Sequence, residues 1–381
     1  MYKINNFCQN LPSNYLFAEV EERVSFYKKK NPGQKIISFG IGDVSRPLVP
    51  SIIEALHKAV DEQEEIKTFR GYGPAGGYSF LKHEMIKEIP VEADEIFISD
   101  GAKSDLGNLQ EMFAGDCVVA VCDPSYPVYE EINLMAGRTI HYLKCEKENN
   151  FYPQIPKEAP DIIYLCSPNN PTGIAMKKKE LQKWVDYANE HGCLIVFDAA
   201  YEAYIEEIDV PHSIYECEGA RRCSIEIRSF SKNAGFTGLR LGAMIVPKEL
   251  PLHSLWVRRQ SVRYNGAPYI VQRAAEAIYT EEGKKQISEQ IAYYKRNARV
   301  ILETLEKSGF EVYGGINAPY IWMKTPDGFD SWKYFEFLIE KAGVVVTPGV
   351  GFGSAGEGYV RLSALNSYEN TLEAMKRMEY L

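Results

Sequence analysis

The chain has no apolar run approaching the roughly 18 residues that a membrane helix needs. Its opening, "MYKINNFCQNLPSNYLF", lacks the apolar core of a secretion signal. Its eight cysteines form no CxxC pair and no zinc-like spacing, which argues against a metal site or a disulfide framework. Cys117, Cys166 and Cys193 lie inside apolar runs and read as reduced core thiols of a cytosolic protein. Net positive charge is missing too: 43 Lys and Arg stand against 52 Asp and Glu, a net charge of -9. That balance excludes a broad phosphate-binding surface for nucleic acid, and the short runs Lys28–Lys30 and Lys177–Lys179 read as solvated helix ends. Internal repeats and low-complexity linkers are absent as well. What remains is the expectation of a cytoplasmic globular chain whose 381 residues suffice for two or three structural units.

What is present is alternation. Short apolar, β-rich runs interleave with amphipathic helical patterns, which predicts an α/β architecture with a mostly parallel central sheet. The expected strands are "EIFISD" (95–100), "CVVAVCD" (117–123), "DIIYLC" (161–166), "CLIVFD" (193–198), "CSIEIRS" (223–229) and "LGAMIVP" (241–247). A helix is expected over 177–192, stopped by Gly192, and a long one over 283–309. The first 45 residues share no pattern with the sheet. The reading is an N-terminal arm and part of a small domain over 1–45, a large domain over 46–279, and the rest of the small α/β domain over 280–381.

Ligands of open α/β sheets sit at the carboxyl ends of the strands, so the residues just beyond each run are the place to look. The first run leads into Gly101-Ala102-Lys103, small residues that open a helix and expose N–H groups to a phosphate, or form a plain tight turn. The second leads to Tyr126, able to stack on a planar ring or simply to pack. The third leads to "SPNNPTG", whose prolines fix the backbone around Asn170, again a turn on the plain reading. The fourth delivers Asp198, with Tyr201 three residues on. A carboxylate leaving an apolar strand needs a cation, a donor or a helix N-cap role. The fifth delivers "RSFSKNAGFTGLR", with Ser229, Ser231, Lys232 and Arg240.

Five strand ends carrying such groups point together to pyridoxal phosphate (PLP). Lys232 would form the Schiff base with the cofactor aldehyde, which needs a neutral amine. Asp198 would face the pyridine nitrogen and keep it protonated. Tyr201 and Asn170 would hold the ring hydroxyl, and Tyr126 would stack on the ring. Ser229, Ser231, Arg240 and the amides of Gly101, Ala102 and Lys103 would clamp the phosphate. No metal is called for.

Motifs along nearly the whole chain carry a resemblance. "SPNNPTG", "FDAAYEAY" and "SFSKNAGFTGLR" resemble the class I/II aminotransferases of PLP fold type I. More narrowly, "YLFAEV", "IGDVSRPL", "TFRGYGPAGGY", "SDGAKSDLGNLQ", "DPSYPVY", "RQSVRYNGAPYIVQ", "GGINAPYIW" and "TPGVGFGSAGEGYVRLSA" are similar to LL-diaminopimelate aminotransferases. The resemblance implies transfer of an amino group from a diamino acid to a keto acid such as 2-oxoglutarate, in a homodimer with sites at the subunit interface. It implies α-carboxylate recognition by Arg361, which alone would read as a solvated strand arginine. It places Lys103 beside cofactor and substrate, adds substrate contacts from Gly42, Tyr72, Tyr126 and Asn170, and lets Tyr15 and Asn265 reach the neighbouring subunit's site.

Two departures stand out. Where the family has Glu-Gln, this chain has Ala75-Gly76, and the family glutamate is implied to help hold the substrate's distal ammonium group. Losing such a partner would cost on the order of 2–5 kcal/mol. The segment between Gly137 and Phe151 is also shorter than in the family. Both changes suggest an altered far end of the substrate site, so elimination or cyclisation of an arginine-like amino acid stands as the alternative to transamination. A PLP-sensing regulator would need a DNA-binding extension ahead of "YLFAEV", and none is seen.

Overall fold

The structure, a computed structural model, describes residues 2–11, 15–379 and 381. Met1 and residues 12–14 of the expected N-terminal arm lie outside them. A seven-stranded sheet forms from β1 (Ile96–Ser99), β2 (Val118–Asp123), β3 (Thr139–Lys144), β4 (Ile162–Cys166), β5 (Leu194–Asp198), β6 (Ser224–Ser229) and β7 (Gly242–Ile245). Their spatial order is β1-β7-β6-β5-β4-β2-β3. β7 runs antiparallel to both neighbours and every other pairing is parallel, so all strands but β7 point the same way.

The expected strands fall within a residue or two of their runs. β3, "TIHYLK", was not expected, because as an edge strand it is largely exposed and lacks a continuous apolar run. Central strands are buried on both faces and alternate between two cores. Ile163 and Leu165 of β4 join one core with Ile195 and Phe197, while Ile162, Tyr164 and Cys166 join the other with Val196. Helix Lys178–His191 covers the first face through Leu181, Trp184, Val185 and Ala188, and ends at Gly192 in the left-handed conformation that glycine adopts without strain. Helix Ala102–Leu109 covers the second through Leu106 and Leu109.

The long helix spans Glu281–Lys307, with Thr280 Oγ1 accepting from Gly283 N at 3.0 Å as its N-cap. Its buried residues Ile287, Ile291, Tyr294, Ala298, Ile301 and Leu305 recur every three or four positions, one apolar stripe. Beyond it, an antiparallel sheet joins Val312–Gly314, Tyr320–Lys324, Tyr359–Ser363 and Thr347–Pro348. Ile37–Ser38, from the N-terminal region, pairs in parallel with Val344–Val345. Cys166 and Cys193 are core residues, whereas Cys117 is only half-buried. Among the described residues, no helix is long and apolar enough to cross a membrane.

Candidate active site

Because β1, β2, β4, β5 and β6 point the same way, their carboxyl ends share one edge of the large sheet. A pocket of about 440 Å³ opens there. It gathers Tyr15, Gly42, Ala102, Lys103, Tyr126, Asn170, Asp198, Tyr201, Ser229, Ser231, Lys232, Arg240 and Arg361, all singled out in the sequence.

Ser229 ends β6 and caps the short helix Phe230–Asn233, its Oγ accepting from Ser231 N at 3.2 Å. That turn projects Lys232 into the pocket, where Nζ donates to the Gly42 carbonyl. A Cβ on Gly42 would collide with the Tyr320 hydroxyl, so glycine is what lets this backbone approach the lysine. Burial lowers the Lys232 ammonium to a pKa of about 8; Arg361 and Arg240 push the same way, and Asp43 opposes. About a tenth of the amine is therefore neutral at pH 7, far more than for an ordinary lysine, and is ready as a nucleophile or base. In the apo-protein, cofactor uptake should accelerate as pH rises through about 8 and level off above it. Asp43→Asn removes a charge that favours the ammonium and should move that midpoint down; stopped-flow absorbance across pH 6–10 reads both.

Arg240 takes a left-handed backbone, φ 62°, that turns its side chain back on the strand end. Nη1 reaches Ser231 Oγ at 3.4 Å and the Thr237 carbonyl at 3.3 Å. Gly101 opens helix Ala102–Leu109 at φ 132°, and a Cβ there would lie 2.5 Å from Arg240 Nη2. Gly101 itself does not line the pocket; it makes room for the arginine that does. Guanidinium, two serines and a helix N-terminus together form a cradle for a phosphate dianion. Gly101→Ala should displace Arg240 and weaken cofactor retention about tenfold or more, read by equilibrium dialysis, with the fold intact by circular dichroism.

Asp198 ends β5 buried. Its Oδ2 accepts from Tyr129 OH at 2.6 Å and its Oδ1 from Ala200 N at 3.0 Å. Burial raises its pKa, and these two donors hold it back. Tyr201 OH and Tyr320 OH lie 2.9 Å apart, both kept protonated by burial. Arg361 is 1% exposed; Nη1 donates to Asn170 Oδ1 at 2.6 Å and Nη2 to the Gly40 carbonyl at 2.7 Å. Among the described residues its Nε has no partner. Lys103 Nζ sits 3.5 Å from Tyr15 OH.

Among the described residues, none of Lys103, Lys232, Arg240 and Arg361 is within ion-pairing distance of a carboxylate. Arg361, buried without a counter-ion, and Arg240 beside its serines are placed to receive anions from a ligand, with Lys232 and the exposed Lys103 alongside. One cluster suits a phosphate and Arg361 suits a carboxylate; Tyr126 and Asp198, a ring face and a buried carboxyl, line the same pocket as both. The residues present therefore fit pyridoxal phosphate. No group of three His, Cys, Asp or Glu among the described residues is placed to hold a metal.

Tyr15, expected at the neighbouring subunit's site, lines this chain's own pocket, because Leu16 beside it is buried against Gly351. Tyr72, 93% exposed, and Asn265, also exposed, do not line this chain's own pocket; the expectation for Asn265 concerns the neighbouring subunit's site. Ala75 and Gly76 lie outside this chain's pocket as well, in a loop whose Pro74 carbonyl packs against Gly266. Sequence reasoning missed Tyr129 and Tyr320. Tyr129 follows Tyr126 by three residues on the helical corner after β2, and Tyr320 opens an apolar strand inside a motif already singled out.

Comparison with known proteins agrees with this geometry. The family model for aminotransferase class I and II matches residues 34–378. An LL-diaminopimelate aminotransferase of Lachnospira eligens is 57% identical over 404 residues, covering all of both chains, and one of Agathobacter rectalis is 54% identical with the same coverage. The solved L,L-diaminopimelate aminotransferase from Chlamydomonas reinhardtii superposes with a TM-score of 0.95 at 42% identity, covering 100% of this chain and 98% of that one. A pocket built for an aldehyde phosphate and an amino-acid carboxylate thus sits in a chain that belongs to the PLP-dependent class I and II aminotransferases.

Proposed function

We propose that the chain transfers an amino group from LL-diaminopimelate to a keto acid, 2-oxoglutarate being the candidate. The observation that carries this reading is the set of four counter-ion-free cations around one pocket, joined with two relatives above 50% identity that bear that activity's name. When bound, PLP supplies the aldehyde that takes the amino group and an electron sink for the α-carbon.

The chain's own residues do the rest. Arg361 clamps the substrate α-carboxylate with a fork that no carboxylate of the protein occupies. Its bond to Asn170 ties the carboxylate site to the group assigned to the ring hydroxyl, so substrate and ring are oriented together. Lys232 Nζ, neutral above about pH 8, takes the α-proton and holds it as an ammonium. Asp198, fixed by Tyr129 and the Ala200 amide, would present its carboxylate to the ring nitrogen of the bound cofactor. Tyr201 and Tyr320 close the wall and exclude water. Lys103, beside Tyr15, lies at the substrate side.

A homodimer belongs to the same proposal. Tyr72 and Asn265 sit on adjoining loops, with Ile66 and Phe69 strongly exposed nearby. Such an apolar surface favours a partner, and a second copy would bring those two residues to its neighbour's pocket. The pairing of Ile37–Ser38 with Val344–Val345 supports a small domain made from 1–45 and 280–381 beside a large one over 46–279. A cytoplasmic location fits the cysteine usage.

The elimination or cyclisation alternative is not favoured: both named relatives, at 57% and 54% identity over the whole chain, are aminotransferases. The test is a spectral titration of the PLP-loaded enzyme without keto acid. LL-diaminopimelate should convert the cofactor fully to its amino form, with the matching keto product by mass. No conversion by this substrate, alongside an arginine-like amino acid that loses water or ammonia, would sink the proposal.

A further inference from the structure

On the other side of the turn that carries Lys232 lies a second cavity, of about 410 Å³, between the large sheet and the long helix. Its floor is apolar and buried: Met85, Ile89, Phe230, Ile278, Ile287 and Ile291 are each under 10% exposed. Its rim is charged, and the charges are incompletely matched. Lys295, with a side chain only 17% exposed, makes no hydrogen bond among the described residues; its nearest carboxylate is Glu206 at 3.4 Å, which Arg299 shares at 3.1 Å. Two cations on one carboxylate leave room for a second anion. Opposite in character, Glu202 is 20% exposed and has, among the described residues, two long side-chain contacts, Arg228 Nη1 and His212 Nδ1, both at 3.4 Å. Asn233 lines the same cavity, and its buried Oδ1 has no hydrogen-bond partner.

Buried polar atoms left unpaired are uncommon and call for an explanation. Here a loosely paired, shared ammonium, an unpaired amide oxygen and an apolar floor share a volume in the range of small-molecule sites. We propose that this cavity binds a free L-amino acid with an apolar side chain. Lys295 and Arg299 take its carboxylate, Glu202 and Asn233 Oδ1 take its ammonium, and the isoleucine floor takes the side chain. Occupancy is felt at the active site through two links. Asn233 is the next residue after Lys232, and Tyr204, in the same turn as Glu202, donates its hydroxyl to the Lys232 carbonyl at 3.0 Å.

The test uses the holoenzyme and L-leucine, by calorimetry and by the cofactor's visible absorbance at fixed pH. Arg361→Lys, which cripples carboxylate binding in the active site, should keep L-leucine binding and its absorbance change. Ser288→Trp, which plugs the cavity mouth, should remove both while leaving transamination intact. Lys295→Met should weaken binding tenfold or more. N-acetyl-L-leucine, without the ammonium, should bind at least tenfold more weakly than L-leucine. Loss of binding in Arg361→Lys with retention in Ser288→Trp would place the ligand in the active site and overturn the proposal. No saturable binding at millimolar L-leucine, or equal affinity for the acetylated form, would overturn it too. Binding without any absorbance change would overturn the coupling to Lys232.

Discussion

Lys232→Ala is expected to lose the absorbance of covalently held cofactor and at least about four orders of magnitude in turnover. General acid–base catalysis alone contributes on the order of 10²–10⁴, and the covalent attachment is lost besides. No neighbour can take over. Tyr201 and Tyr320 are held protonated by burial, and Asp198 is bound to Tyr129 and the Ala200 amide. Lys103 lies on Tyr15 rather than on the Gly42 carbonyl that Lys232 meets. The variant should nevertheless fold and retain cofactor without a covalent bond, since Arg240, Ser231 and the amides after Gly101 are untouched. Dialysis against phosphate should strip it more readily than wild type. Near-normal turnover would refute the mechanism outright.

The same variant has a stability signature in the apo-protein. The folded pKa of Lys232, about 8, lies below the ordinary lysine value of 10.5. The unfolded chain therefore binds the proton more tightly between pH 8 and 10.5, and stability rises with pH across that window. Below pH 8 the buried ammonium imposes its full cost, on the order of 3 kcal/mol. Apo Lys232→Ala should lack this rise, so its advantage over wild type is largest at pH 7 and fades towards pH 10.5. Thermal melts across that range, without PLP, measure it.

How much of this was legible in the sequence depends on the kind of signal. The central strands were legible because burial on both faces leaves an uninterrupted apolar run, as in "DIIYLC". β3 was not, since an edge strand such as "TIHYLK" mixes polar and apolar residues. The strand-end groups were legible because parallel strands bring their carboxyl ends to one edge, so Lys103, Asn170, Asp198 and Lys232 converge although nothing in their spacing is regular. Tyr129 and Tyr320 were missed for the opposite reason. Each acts by touching another site residue, Asp198 in one case and Tyr201 in the other, and such partnerships exist only after folding. Ala75 was legible as a departure, but linear proximity to Tyr72 could not tell which subunit's pocket, if any, its loop serves: it packs at Gly266, away from this chain's own pocket.

Arg361 carries the second large prediction. It is 1% exposed, stands 4.4 Å from the Tyr320 ring and 4.9 Å from that of Phe352, and has no counter-ion among the described residues. Burial lowers its pKa, yet guanidinium remains charged at any working pH. A buried charge supported only by Asn170, the Gly40 carbonyl and aromatic faces is tolerable if it awaits an anion. Arg361→Lys keeps the charge but loses the planar fork and the bond geometry to Asn170. Truncating a buried hydrogen-bonded charge pair costs about 2–5 kcal/mol, so kcat/KM should fall roughly 10²–10³-fold. The loss should appear equally for the amino donor and the keto acceptor, because both present an α-carboxylate to the same side chain. Cofactor absorbance should be unchanged, since the phosphate cradle lies at Arg240 and Gly101. A loss confined to one of the two substrates would mean that Arg361 does not hold the common carboxylate. Loss of cofactor rather than of substrate affinity would make it a structural charge that supports Asn170.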